Sequence, residues 1–262
     1  MSKNASLFLF GTLPLIVLSV FVQACSPKFK FNSHSELRVH TYSKFFINVH
    51  YVETDSLNLL IDSGDVGDGE KIEKFFTKKG LDLSAVNYLI ITHGHPDHAG
   101  NAKYFQEKYG LKIIAGADEL SMINSGGNDS ELCPRGFKGW YIKNTIGKKR
   151  YDPFIPDILV EDSLSLRFLG LDGKIINVPG HTDGSLIIFL NELAFTGDLL
   201  GGKVTKPEKP DYHIFMCDLE DNLNDIERIV SEPGITTWYP GHFGPLKTED
   251  IQEFISKEQI HN

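Results

Sequence analysis

Six residues constrain this chain more than any others: His93-Gly94-His95-Pro96-Asp97-His98, set directly behind the apolar run Val86 to Ile91. Four groups able to bind a divalent metal fall within them, and imidazoles with carboxylates are donors that zinc accepts readily. Gly94 and Pro96 favour a bent loop over a helix, so that His93 and His95 turn toward one point while Asp97 and His98 face another. One ion cannot easily use all four, and the spacing therefore suggests two. The apolar run reads as a strand buried on both faces.

The same order, an apolar strand and then a polar loop, recurs downstream. Pro179-Gly180-His181-Thr182, Phe195-Thr196-Gly197-Asp198 and Pro240-Gly241-His242 each follow a strand-like stretch, and five of the ten histidines lie in such loops. With these motifs in this order, the sequence resembles the metallo-β-lactamase superfamily, and the resemblance covers essentially the whole mature domain. It implies an α/β (α+β) fold, a four-layered αββα sandwich with ligands on loops along one edge of two sheets.

Residue by residue, the resemblance implies that His93, His95 and His181 hold a first metal, that Asp97, His98 and His242 hold a second, and that Asp198 bridges them. Two divalent ions are expected, zinc by ligand type, although iron and manganese accept a similar set. Such a pair shares a hydroxide of lowered pKa and aims it at a bound carbonyl or phosphoryl group. Asp97 is expected to orient the water or shuttle its proton, and Asp62 to orient a ligand histidine from behind. Tyr212 and His213, in the loop after Asp198, read as plain loop residues within reach of a substrate, and Phe137, Trp140 and Tyr141 as packing or a lid.

Around the motifs, Leu37 to Thr41, Phe45 to Glu53 and Leu57 to Ile61 read as an antiparallel meander. Helices are expected at Glu70 to Lys79, closed by Gly80, at Ala102 to Lys108, closed by Gly110, and at Leu219 to Val230. Further strands are expected at Lys112 to Ala115, Ser165 to Leu169, Ile175 to Val178, Ser185 to Leu190 and Leu193 to Thr196, with Thr236 to Tyr239 the last. Gly116 to Ile158 reads as a long irregular stretch, the kind that is usually functional or mobile.

The first residues read as a targeting segment. Lys3 precedes the apolar run Leu7 to Val22, which Pro14 interrupts and which is short for a membrane span. It ends in Val22-Gln23-Ala24-Cys25, which resembles a bacterial lipobox. The expected organisation is a signal peptide over 1–24, acylated Cys25 with a tether to residue 35, and one domain over 36–262. Acyl chains on Cys25 would hold the protein on a membrane, facing the periplasm or cell exterior; the alternative is release in soluble form. Cys133 and Cys217 give no spacing that decides between free and paired thiols. A net charge of -9 argues against nucleic acid as a partner.

The resemblance leaves the substrate open, and a small-molecule ester, thioester, lactone or related bond is expected. Asp198 stands where the best-known zinc β-lactamases use a cysteine, and where the subclass with an all-histidine first site uses a further histidine. Asp198 counts against a β-lactamase, but export would place the protein where such antibiotics act, so a β-lactamase of the all-histidine subclass is the first alternative, and a non-hydrolytic metal-binding or redox protein of the same fold the second.

Overall fold

Leu59 and Ile61 face one side of their strand and Leu60 the other, and this period-two alternation runs through both sheets of the structure. The computed structural model describes residues 37–127, 133–134, 136–145, 148–216 and 219–261. Strands β1 (Arg38–Lys44), β2 (Ile47–Glu53) and β3 (Asn58–Ile61) form the expected antiparallel meander. After helix α1 (Gly69–Lys78), β4 (Val86–Ile90) lies parallel to β3. Helices α2 (Pro96–Ala99) and α3 (Ala102–Tyr109) lead to β5 (Lys112–Gly116), then α4 (Leu120–Asn124), α5 (Gly136–Thr145) and β6 (Ile158–Val160). The first sheet runs β1-β2-β3-β4-β5-β6.

The chain then builds β7 (Ser163–Ser165), β8 (Gly173–Asn177), β9 (Leu186–Leu190) and β10 (Leu193–Gly197). A hairpin of β11 (Gly201–Lys203) and β12 (Lys206–Asp211) precedes α6 (Leu219–Val230), β13 (Thr237–Pro240), β14 (Leu246–Lys247) and α7 (Thr248–His261). The second sheet runs β14-β13-β10-β9-β8-β7.

Between the sheets, Leu59, Ile61, Ile90 and Ile114 meet Ile175, Leu186, Ile188 and Phe195. Behind the first sheet, Leu60, Leu89 and Ile113 pack with Ile72 and Phe76 of α1 and Phe105 of α3. Behind the second, Ile187, Phe189 and Trp238 pack with Ile226 and Ile229 of α6 and Ile251 and Ile255 of α7. The layers are helix, sheet, sheet, helix, as expected. Each such side chain contributes about 1.5 to 3 kcal/mol on burial, which makes the sandwich a stiff support for the loops at its edge.

Several local expectations are corrected. The metal-binding motif is not a bent loop throughout, because Pro96 takes the first position of a one-turn helix, where its missing N–H costs nothing. That turn separates neighbours: the Asp97 side chain is 31% exposed and that of His98 is fully buried. Strand β4 is buried at Val86, Leu89 and Ile90 but exposes Asn87. Leu166 to Leu169 forms a tight 3-10 turn, started by Ser165 Oγ accepting from Arg167 N–H and stopped by left-handed Gly170. The stretch 116–158 contains helices, and β14 and α7 follow the strand expected to be last.

The signal segment, Cys25 and the tether lie outside the described residues, and so does Cys217. Among the described residues, no helix is long and apolar enough to cross a membrane. Cys133 is disulfide-bonded.

Candidate metal centre

Strand ends bring the site together. Asp62 follows β3, His93 to His98 follow β4, Glu119 follows β5, His181 sits between β8 and β9, Asp198 follows β10 and His242 follows β13. Three ligand atoms of His93, His95 and His181 lie within 4.8 Å of one another, and so do those of Asp97, His98 and His242. Asp198 stands between the two groups. Its Oδ1 is 3.2 Å from His98 Nε2, and its Oδ2 is 3.2 Å from His242 Nε2, 3.6 Å from His181 Nε2 and 3.9 Å from His93 Nε2. Gly241 permits this approach, since a Cβ there would lie 2.4 Å from the His98 ring and 2.7 Å from Asp198 Oδ1.

The backs of the rings are tied. Asp62 Oδ2 is 2.8 Å from His98 Nδ1, and the same carboxylate accepts from the N–H and hydroxyl of Thr92. The Thr92 hydroxyl oxygen in turn lies 3.1 Å from His93 Nδ1. His181 Nδ1 donates to the Phe215 carbonyl and His242 Nδ1 to the Phe46 carbonyl. Asp62 and Phe243 both take positive φ, 61° and 62°, a strained conformation for a non-glycine residue, here held beside the site.

The donor set fits cations. His93 Nε2 and Asp198 Oδ1 are buried without a hydrogen-bond partner, a costly condition for polar atoms in a core unless something else satisfies them. His181 Nε2 is 2.9 Å from His95 Nδ1, and His98 Nε2 is 3.4 Å from His242 Nε2, so nitrogen faces nitrogen in both groups. Burial, then neighbouring imidazoles, push His93 and His181 well below the usual imidazole value. Burial acts the same way on His98 and His242, but Asp198 and Asp97 outweigh it, raising His98 well above its usual value and His242 to about 9. Burial would raise Asp97 and Asp198, yet the facing histidines hold both ionised at low values. Neutral imidazoles and ionised carboxylates are the forms that bind a metal, so His93, His181 and the two carboxylates stand ready, while an ion entering at His98 and His242 displaces their protons.

Two residues that no motif singled out complete the site. Glu119 is buried, with Oε1 accepting from the Thr182 hydroxyl at 2.6 Å and Gly184 N–H at 3.0 Å, and Oε2 accepting from Gly94 N–H at 2.6 Å. One carboxylate thus ties the His93–His95 loop to the His181 loop. In sequence it reads as an ordinary helix-start acid, and only its burial marks it. His213, read as a plain loop residue, lies 3.1 Å from Asp198 Oδ2, whereas Tyr212 packs on Phe254. Phe137, Trp140 and Tyr141 are exposed on α5.

An αββα sandwich with histidines and aspartates gathered at one sheet edge defines a class of metal-dependent hydrolases. A sequence profile described as the metallo-beta-lactamase superfamily matches residues 42–242, and the chain belongs to that superfamily. It is 27% identical over 195 residues to a probable metallo-hydrolase of Methanocaldococcus jannaschii, covering 73% of this chain and 85% of that protein. Similarity to a hydroxyacylglutathione hydrolase of Haemophilus influenzae is also 27%, over 188 residues, covering 68% of this chain and 81% of the other. Among solved structures, a metallo-beta-lactamase family protein of Thermus thermophilus superposes with a TM-score of 0.60 at 20% identity, covering 86% of this chain and 79% of that one. A subclass B3 metallo-beta-lactamase of Bradyrhizobium japonicum gives 0.59 at 13% identity, over 85% and 89%. These two structures share the fold.

Proposed function

We propose that the protein is an exported dinuclear hydrolase that cleaves a small-molecule ester, thioester or lactone, with the thioester first among these. The observation that carries the dinuclear reading is Asp198, whose carboxylate reaches both groups: Oδ1 lies beside His98, and Oδ2 lies between His242 of one group and His181 and His93 of the other. His93, His95 and His181 would hold one divalent ion, Asp97, His98 and His242 the other, and Asp198 both. When bound, the pair supplies an acidified water and a Lewis acid for the substrate carbonyl. Asp97, partly exposed and 3.4 Å from His242 Nε2, takes the proton of the attacking water and returns it to the leaving sulfur or oxygen. Asp62 and the carbonyls of Phe46 and Phe215 keep the ligand rings in one tautomer.

Similarity to hydroxyacylglutathione hydrolases supports the thioester. Purified protein loaded with zinc is tested against S-lactoylglutathione, a panel of lactones, and nitrocefin. Chelator-sensitive thioester or lactone turnover supports the reading; nitrocefin turnover without either would move the protein to the β-lactamase alternative. Bound metal with no hydrolysis of any of them would favour the non-hydrolytic one.

Export with acylation at Cys25 rests on the signal-like run ahead of it. Labelling with a palmitate analogue in a bacterial host tests it: wild type takes the label into the membrane fraction and Cys25→Ser does not. Label-free, soluble wild type would remove it.

A further inference from the structure

Four of the histidines proposed as ligands turn Nδ1 toward an oxygen: His93 to Thr92 Oγ1, His98 to Asp62 Oδ2, His181 to the Phe215 carbonyl and His242 to the Phe46 carbonyl. An imidazole with its proton on Nδ1 keeps a lone pair on Nε2, which is what a ligand needs. His213 is wired the other way. Its Nδ1 accepts the Phe215 N–H at 3.3 Å, which leaves the ring proton on Nε2, and Nε2 stands 3.1 Å from Asp198 Oδ2. By distance alone, His181, Asp198 and His213 form a further candidate ligand group. The tautomer argues against it.

A single residue sorts the two neighbouring rings. The Phe215 carbonyl makes His181 an acceptor at Nε2, and the Phe215 N–H makes His213 a donor at Nε2, with ring centroids 4.7 Å apart. The loop is held in place by the antiparallel bridge of Phe215 with Pro134 and by Met216 N–H donating to the carbonyl of disulfide-bonded Cys133. Exposure sets His213 and Asp97 apart from the deeper groups of the centre. The His93, His98, His181 and Asp198 side chains are at most 2% exposed, whereas Asp97 is 31% and His213 12% exposed. Among these groups, Asp97 and His213 are the two open to solvent, and so to a substrate.

We propose that His213 is a hydrogen-bond donor of the centre rather than an eighth ligand: its Nε2–H, which faces Asp198 Oδ2 in this structure, passes its hydrogen bond to the oxygen that gains negative charge when a substrate carbonyl is attacked beside Asp198. This rests on the hydrolytic reading above. As the water oxygen bonds to the carbonyl carbon, the C=O π pair moves onto that oxygen, which then accepts the hydrogen bond more strongly than the carbonyl does. Collapse returns the pair and expels the thiolate or alkoxide, which leaves with the proton from Asp97. The proton on His213 stays where it is.

The test uses the full chain loaded with cobalt and two variants, His213→Ala and His213→Gln, the second retaining a donor at about the same reach. Methylphosphonate, a tetrahedral anion, is titrated against the visible spectrum, and thioester turnover is measured separately. Both variants are expected to bind two cobalt ions with the wild-type spectrum. His213→Ala should weaken methylphosphonate binding about tenfold or more and lower kcat about a hundredfold with little change in KM. His213→Gln should recover part of each. Lost cobalt or a shifted spectrum in His213→Ala would make His213 a ligand, and unchanged phosphonate affinity with a wild-type spectrum would make it a plain loop residue. Either result overturns the proposal. Absence of turnover in the wild type would sink the hydrolytic reading alone, since the phosphonate titration still decides the role of His213.

Discussion

Asp62 Oδ2 lies 2.8 Å from Nδ1 of His98, and both side chains are buried. The contact decides which nitrogen of His98 faces Asp198. Thr92 fills the remaining capacity of the carboxylate with its N–H and its hydroxyl. Asp62→Ala is therefore expected to weaken metal binding by roughly 10- to 100-fold. Asp62→Asn, with one acceptor oxygen for three donors, should fall between it and wild type. Competition with a chromogenic chelator measures both; wild-type affinity in Asp62→Ala would contradict the contact's role.

Glu119 faces only donors at Gly94 and Gly184, so a carboxamide must turn its NH2 toward an N–H at one of them. Glu119→Gln is expected to lower stability by about 2 kcal/mol, the cost of one buried donor left unsatisfied. Gly94→Ala should also destabilise, because its Cβ would stand 2.8 Å from Glu119 Oε2. Urea unfolding of the metal-free proteins gives the comparison, and a midpoint within error of wild type for Glu119→Gln would count against the tie between loops.

His50 sits between the sheets against Phe195 and Tyr239, with Nε2 3.3 Å from the Pro240 carbonyl. Burial, chiefly, lowers its pKa from 6.5 to about 4. Below pH 6.5 the unfolded chain takes up a proton that the folded chain refuses until about pH 4, so this histidine costs stability as pH falls through that window. The loss from this group between pH 8 and pH 5 is about 2 kcal/mol. His50→Gln should flatten the pH dependence of the unfolding free energy by that amount. An unchanged slope would show that His50 is protonated equally in both states.

Asp97 is the most exposed carboxylate of the centre and faces both His98 and His242. Asp97→Ala should lower kcat by about 10²- to 10⁴-fold, the range for loss of a positioned proton carrier, while Asp97→Glu restores a fraction. Steady-state kinetics at saturating metal provides the check. Full activity in Asp97→Ala would remove the proton role.

Much of the centre was legible because each motif is contiguous: a strand, then one to four polar residues, so local pattern and chemistry coincide at His93 to His98, His181, Asp198 and His242. The layers were legible for a related reason, since period-two alternation in strands such as Asn58–Ile61 reports two packed faces. What escaped depends on distant backbone. Glu119 looks like any acid opening a short helix until Gly94, Thr182 and Gly184 are folded around it. His213 has no motif, and its tautomer is set by a peptide two residues away. Strands β11 and β14 are too short to show a pattern and β12 is polar, with Lys206-Pro207-Glu208-Lys209 lacking any apolar alternation, so their pairing follows from the hairpin and the sheet edge rather than from composition.

The seven side chains are proposed to hold two ions, with Asp198 common to both. Metal content of the purified protein by mass spectrometry, wild type beside Asp198→Ala, tests it most directly. Two divalent ions per chain are expected in the wild type and one or fewer in Asp198→Ala. A single ion in the wild type, or two tightly held in Asp198→Ala, would contradict it.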